Sequence, residues 1–362
     1  MSGMVIVNSA NKRHNNLDIM RLVAAVLVIV SHSYAVVGLD EPVAILDPTG
    51  LAWGHFGILV FFAISGYLIA ASWNRAPRVS SFLAKRALRI VPGLLLALVF
   101  TAFVVGPLVT NLPVREYLTS PGTWLYPLNK VLLYLPGWFT PPGLFEDSPS
   151  TEINASLWTL PVEVLCYLAL MIAMLLRLGK PAVTGTATIL LAVAGNEAFL
   201  QLFPIPYTDS VELVGRILIL AATFLSGTTL FLLREKVKLN IWVAATAAVV
   251  AVAAGFTPSG TTAAPLLLPY VFLTVGMATP VLPLGRFRGW DLSYGTYVFA
   301  FPVQQMIEHF SGWSSPWEIT MSALVVVLPL AALSWRYVER PALLLAERTR
   351  RPNMVTVGGA RE

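Results

Sequence analysis

Apolar residues in this chain come in long, nearly unbroken runs rather than in the short periods of half-buried strands and helices. Ten segments stand out, roughly 18–38, 54–74, 90–110, 156–176, 182–202, 212–233, 240–256, 264–284, 291–310 and 318–336. Most reach the length of about 20 residues that a helix needs to cross a bilayer core. Hydrocarbon offers no water to backbone amides, so each run predicts a helix that satisfies its own hydrogen bonds. The segment 240–256 is the weakest of the ten, being short and rich in alanine. The pattern predicts an all-α, polytopic membrane protein of about ten transmembrane helices.

Charge then orients the chain. If the N-terminus is cytoplasmic, the connections alternate sides, and 21 of the 24 Lys and Arg residues fall on the cytoplasmic face. Only Arg115, Lys130 and Arg216 fall on the other. This positive-inside bias predicts both termini in the cytoplasm. It divides the chain into a cytoplasmic N-terminal segment (1–17), a transmembrane domain (18–340) and a basic cytoplasmic tail (341–362). Composition agrees: of 362 residues, 56% are hydrophobic and 12% charged, against about 25% charged in soluble proteins. The net charge of +5 follows from topology and is no sign of nucleic-acid binding. A single cysteine, Cys166, excludes an internal disulfide. No cleavable signal peptide is visible, since the apolar run after Lys12 and Arg13 is too long and lacks a small-residue cleavage site. The expected location is the cell (inner) membrane.

Ionisable residues inside the spans are few. Arg21 and His32 sit eleven residues apart in the first, on nearly one helix face and roughly 16 Å apart along its axis. Such groups are costly in lipid, so that face should look at protein or water. Glu163 lies in the fourth span, in SLWTLPVEV, at about the depth of His32, and the two could pair. Glu163 could equally bond backbone freed by Pro161. On the cytoplasmic side the run NRAPRVSSFLAKRALRIVPGL carries Arg75, Arg78, Lys85, Arg86 and Arg89. Arg86 and Arg89 share a helix face, and an arginine fork suits phosphate. Taken alone, the cluster reads first as positive-inside anchoring or contact with anionic lipid. SGYL, from Ser65 to Leu68, reads as small-residue helix packing.

One long external connection runs from Asn111 to Ala155, rich in proline, glycine and aromatics. Its Trp124, Tyr126, Trp138 and Phe139 suit either stacking on a sugar or an aromatic belt at headgroup level. Glu308 and His309 fall at the outer end of span nine, and His55 at the outer start of span two. No HExxH, CxxC, P-loop or GxSxG pattern appears in its needed context, so the sequence offers neither a metal site nor a nucleophilic serine.

Six stretches, in order, resemble the membrane acyltransferase-3 family. LDIMRLVAAVLVIVSHSY is similar to its opening helix and GHFGILVFFAISGYLIAAS to its second. FLAKRALRIVPGL resembles its basic motif with two arginines three apart, and SLWTLPVEVLCYL its glutamate segment. DLSYGTYVFAFPVQQ and SWRYVERPAL resemble its last two helices. The resemblance spans nearly the whole chain. It implies an enzyme that moves an acyl group, usually acetyl from acetyl-CoA, to a hydroxyl of an extracytoplasmic or lipid-linked carbohydrate. It also implies roles: His32 as catalytic histidine, Arg86 and Arg89 as acyl-CoA ligands, and Glu163 as the glutamate of the fourth span. Set beside the physical reading, this makes Glu163 the catalytic residue that orients His32 and adds Arg21 to the acyl-CoA ligands. No metal and no nucleic acid are implied; the partners are acyl-CoA, a carbohydrate or glycolipid acceptor, and membrane lipid. The chain departs from the family pattern twice. Val164 follows Glu163 where a second acid is usual, and Val298–Pro302 lacks the histidine common in span nine. The chain reads as the stand-alone form, without an esterase-like C-terminal domain. The rival reading is a proton-coupled secondary transporter, which an intramembrane His and Glu would also suit. Against it stand the lack of an inverted repeat and an Arg-x-x-Arg cluster that a carrier does not need.

Overall fold

The computed structural model describes residues 4–5, 15–42, 52–132, 140–200, 209–257, 259–280, 282 and 289–348. Trp138 and Phe139, the basic residues Arg286 and Arg288, and the end of the tail lie outside the described residues. Each of the ten predicted segments contains a helix. We number them α1 (Leu17–Val36), α2 (Trp53–Arg75), α3 (Val79–Val109), α4 (Thr159–Leu175), α5 (Pro181–Leu200), α6 (Asp209–Leu232), α7 (Ile241–Gly255), α8 (Gly260–Ala278), α9 (Ser293–Ser311) and α10 (Pro316–Leu345). Among the described residues, seven helices are long and apolar enough to span a membrane. Two shorter apolar stretches are Pro181–Asn196 within α5 and Ile241–Gly255 in α7, and α9 carries Gln304, Gln305, Glu308 and His309 in its second half.

The helix ends pair as an alternating up–down order requires. Asn16, before α1, donates to Thr279 and Pro280 after α8. Thr184 near the start of α5 accepts from Thr229 near the end of α6. Asn196 near the end of α5 bonds Thr261 at the start of α8. The two faces of the bundle are called below the basic face, where α1 begins, and the loop face, where α1 ends.

α2 is apolar all round and the most buried of the spanning helices, as expected of a helix with neighbours on every side. It packs against α1, α6 and α8. Its contact with α6 depends on glycine: a Cβ on Gly66 would collide with the Phe224 carbonyl oxygen. Thr228 Oγ1 donates back to Gly66 O at 3.1 Å. Small residues at such crossings let backbones approach closely where lipid gives no hydrophobic drive to association. α1 packs in turn on α9 and α10. Large apolar side chains such as Val249 and Val325 stay exposed on the outside of the bundle, as a lipid-facing surface requires.

Three boundaries differ from expectation. α8 runs from Gly260 to Ala278, ending ahead of the segment predicted to 284. α3 begins at Val79, eleven residues early, because its basic run is itself helical. At 31 residues it is about 46 Å long, well beyond a hydrocarbon core of about 30 Å. α10 likewise continues past 336 rather than stopping there, and its helical path runs on to Arg348. Each long helix contains one π turn, Thr101–Val105 in α3 and Trp335–Glu339 in α10. In both, the turn ends two residues before a proline, Pro107 or Pro341, which has no N–H to continue the ordinary ladder.

Candidate active site

Near the basic face the helices bring five ionisable side chains together. Arg21 Nη1 donates to Asp291 Oδ2 at 3.0 Å, and Arg89 Nη2 donates to the same oxygen at 2.6 Å. Arg89 Nη1 lies 3.5 Å from Glu339 Oε2. Ser293 Oγ donates to Asp291 Oδ1 and Ser334 Oγ to Glu339 Oε1. Charges this buried are tolerated because each is paired and hydrogen-bonded. Arg86, one turn from Arg89, differs. It makes no ion pair among the described residues, its guanidinium lies 5.8 Å from the centre of the Tyr167 ring, and its Nε is buried without a hydrogen-bond partner. Arg75 and Arg78 are exposed, as anchoring residues would be.

Glu163 faces inward from α4. It accepts from Ser65 Oγ at 2.9 Å and from the Tyr167 hydroxyl. Ser65 therefore does more than pack: it supplies a donor to a carboxylate. Glu163 and Arg21 line one small cavity with Phe61, Thr159, Tyr294 and Tyr297. Its free volume is about 40 Å³, room for a few water molecules.

At the cavity's other end the hydroxyls continue. Tyr297 Oη lies 2.7 Å from Thr159 Oγ1 and donates to Ser156 O at 2.7 Å. Ser156 Oγ is 3.4 Å from His32 Nδ1. The other notable neighbour of the imidazole is Phe301, which meets it edge to face with ring centres 5.0 Å apart. Ser156 sits in the tight turn Ala155–Trp158 that starts α4, with its N–H held by Asn154 Oδ1. Next to His32, Ser33 is fixed by Gln304 Nε2 at 2.6 Å and Thr320 Oγ1 at 2.8 Å, which ties α1 to α9 and α10.

The expected pairing of His32 with Glu163 is absent. The reason is depth: His32 meets Ser156, at the very start of the fourth span, while Glu163 lies seven residues, about 10 Å, further down. Ser65, Tyr167 and Ser156 take the roles that the two residues were expected to fill for each other. Arg21 and His32 do both face inward, Arg21 onto the cavity and His32 onto Ser156. His55 is half-buried and Glu308 keeps Oε2 buried without a partner; neither joins the site. Sequence reading missed Asp291 and Glu339. Both are acids bordering spans nine and ten at the basic face, the same anomaly that drew attention to Glu163. Among the described residues no cluster of His, Cys, Asp and Glu suits a metal ion.

The arrangement is a small internal cavity lined by Arg21 and Glu163, with the half-buried Arg86 beside Tyr167 toward the basic face and His32 linked through Ser156 and the hydroxyls of Thr159 and Tyr297 toward the loop face. Comparison with known proteins adds what geometry alone does not. The family model described as "Acyltransferase domain" matches residues 14–336. An "O-acetyl transferase" of Shigella phage Sf6 is 31% identical over 345 residues, 91% of this chain and 96% of that protein. "Nodulation protein 10" of Rhizobium leguminosarum bv. viciae is 28% identical over 358 residues, 91% and 94% of the two. No solved structure matches. With seven helices among the described residues long and apolar enough to span a membrane, and a family match that covers nearly the whole chain, the protein belongs to the acyltransferase-3 family and is a multi-pass membrane acyltransferase.

Proposed function

We propose that the protein is an O-acetyltransferase of the cell (inner) membrane that moves acetyl from acetyl-CoA to a hydroxyl of a cell-surface or lipid-linked carbohydrate. The observation that carries this reading is the separation of the half-buried Arg86, beside Tyr167 at the basic face, from His32, on Ser156 at the loop face, with the cavity of Arg21 and Glu163 reached from one through Tyr167 and from the other through Tyr297; we read the two as the ends of one passage. The basic face is cytoplasmic in this reading, because it holds most of the Lys and Arg. Arg86, with Arg21 and Arg89 beside it, receives the CoA phosphates, since guanidinium forks bind phosphate oxygens in pairs. The aromatic walls of the cavity receive the acyl end.

His32 is the general base. For Nε2 to accept a proton, Nδ1 must carry the hydrogen and donate it to Ser156 Oγ. Nε2 then takes the proton of the acceptor hydroxyl as its oxygen attacks the thioester carbon. The C–S bond breaks, and the CoA thiolate takes up the proton that leaves His32. Glu163 acts on the donor side of the passage, where its carboxylate is held by Ser65 and Tyr167 and faces the same cavity as Arg21.

The test is transfer of label from [14C]acetyl-CoA to surface glycan in membranes with and without the gene. Label in glycan that depends on the gene is expected. Acetyl-CoA left unconsumed by well-expressed protein in the presence of native glycan would overturn the proposal.

A further inference from the structure

The loop face carries a second pocket of about 300 Å³, walled by the connection between α3 and α4. We propose that this pocket is the acceptor subsite and that it takes a neutral, hydroxyl-rich sugar unit rather than an acidic one. The inference rests on the acyl-transfer reading above and deepens it.

Position is the first ground. Asn154 and Leu157 wall the pocket and flank Ser156, the residue in contact with His32. Asn154 is committed at both ends of its amide, Nδ2 donating to Val298 O at 3.0 Å and Oδ1 accepting from Ser156 N. Pocket wall and imidazole contact are thus one piece of structure.

Rigidity is the second. Gln305 Nε2 donates to Ser150 O and Glu152 O, at 2.7 and 2.8 Å, fastening the wall to α9. Asn111 Nδ2 donates to Glu146, and Thr110 Oγ1 to Pro142 O, fastening the opposite side to the end of α3. A site held this way binds without paying to order its own loops.

Lining chemistry is the third. The lining mixes polar and apolar side chains. Lys130 and Thr151 offer donors and Glu152 an acceptor, beside the apolar faces of Pro141 and Ile153. A sugar ring presents the matching surfaces, hydroxyls at its edge and C–H bonds on its faces. Two carboxylates, Glu146 and Glu152, against one ammonium, Lys130, leave the lining with a net negative formal charge. Like charges across a binding surface select against a partner, so uronic or phosphorylated units are disfavoured.

The experiment uses the full chain in its own cells and in membranes. Thr151→Trp fills the pocket from its exposed rim. Glycan acetylation should fall at least tenfold, with [14C]acetyl-CoA binding and thermal stability in detergent unchanged. Wild-type acetylation by Thr151→Trp would overturn the subsite while leaving the acyl-transfer reading intact. Loss of acetyl-CoA binding in the wild type would instead strike that reading. The second arm labels Thr151→Cys with a membrane-impermeant maleimide, Cys166 being buried. Maltoheptaose at tens of millimolar should slow labelling at least twofold and oligogalacturonate should not. Equal effects, or no effect of either, would overturn the assignment to neutral sugars.

Discussion

The basic face and the loop face of the bundle are built from different materials. At the basic face, Arg21 and Arg89 share Asp291, and Arg89 reaches Glu339 as well. At the loop face no ion pair among the described residues holds the imidazole: His32 meets Ser156 and Phe301, and Ser33 meets Gln304 and Thr320, while the nearby carboxylate of Glu41 accepts from Ser31 and a backbone N–H. The first end is coupled, so removing one member strands the others in a low-dielectric setting. The second is modular, so a side chain can be removed and the fold around it kept. A functional residue at the coupled end therefore has two jobs, and mutation reports on both. Only Arg86 there stands apart, with no ion pair among the described residues to lose.

Replacing His32 by alanine is the sharpest test of the modular end. The loss is one hydrogen bond and one aromatic edge contact, so folded protein should be recovered in normal amount. Transfer should fall by the roughly 10²–10⁴-fold typical of general-base catalysis. Near wild-type transfer from well-expressed protein would reduce His32 to a structural residue.

At the coupled end, Arg89→Ala should act mainly on stability. Breaking a buried pair from one side costs about 3–5 kcal/mol, and here Asp291 loses one of its two arginines while Glu339 loses Arg89, its ion-pair partner. Little folded protein should survive detergent extraction and size-exclusion chromatography. Arg86→Ala should yield folded protein whose KM for acetyl-CoA is raised, on the scale of about 1.5–3 kcal/mol for a charged hydrogen bond. If the two variants behave alike in both assays, the distinction between paired and unpaired arginines is wrong.

The smallest effect belongs to Ser156→Ala. A net hydrogen bond contributes about 0.5–1.5 kcal/mol, so kcat should fall by roughly two- to tenfold with the KM for acetyl-CoA unmoved. A change in that KM would place Ser156 on the donor side instead.

The run lengths of apolar residues sufficed to locate the helices, because a bilayer imposes one length scale on every span. They failed at α3 and α10, where the helix continues into water: a basic or proline-bearing run looks like the end of a span yet is still helical. The residues of the site were legible as ionisable intruders, His32, Arg21 and Glu163, or as an Arg-x-x-Arg repeat. Their partners were not. Ser65, Ser156 and Tyr297 are ordinary residues whose importance comes only from which helices touch, and contact is a tertiary fact. The supposed His32–Glu163 pair shows the same gap, since similar depth counted in residues does not set two side chains face to face.

The basic cluster also has a history in time. Asp291 follows Arg89 by 202 residues and Arg21 by 270, and Glu339 follows Arg89 by 250. At a synthesis rate of about 5–20 residues per second, each arginine waits roughly 10–50 s before its acid leaves the ribosome. During that interval two strong cations belong to helices already entering the membrane. A place at mid-depth would leave them without water or counter-ion for the whole wait. Near the basic face they can stay hydrated, or lean on lipid headgroups, until α9 and α10 arrive. The arrival of the last two helices then exchanges water for carboxylate and closes the bundle, so the final step of biogenesis also sets the charges of the site.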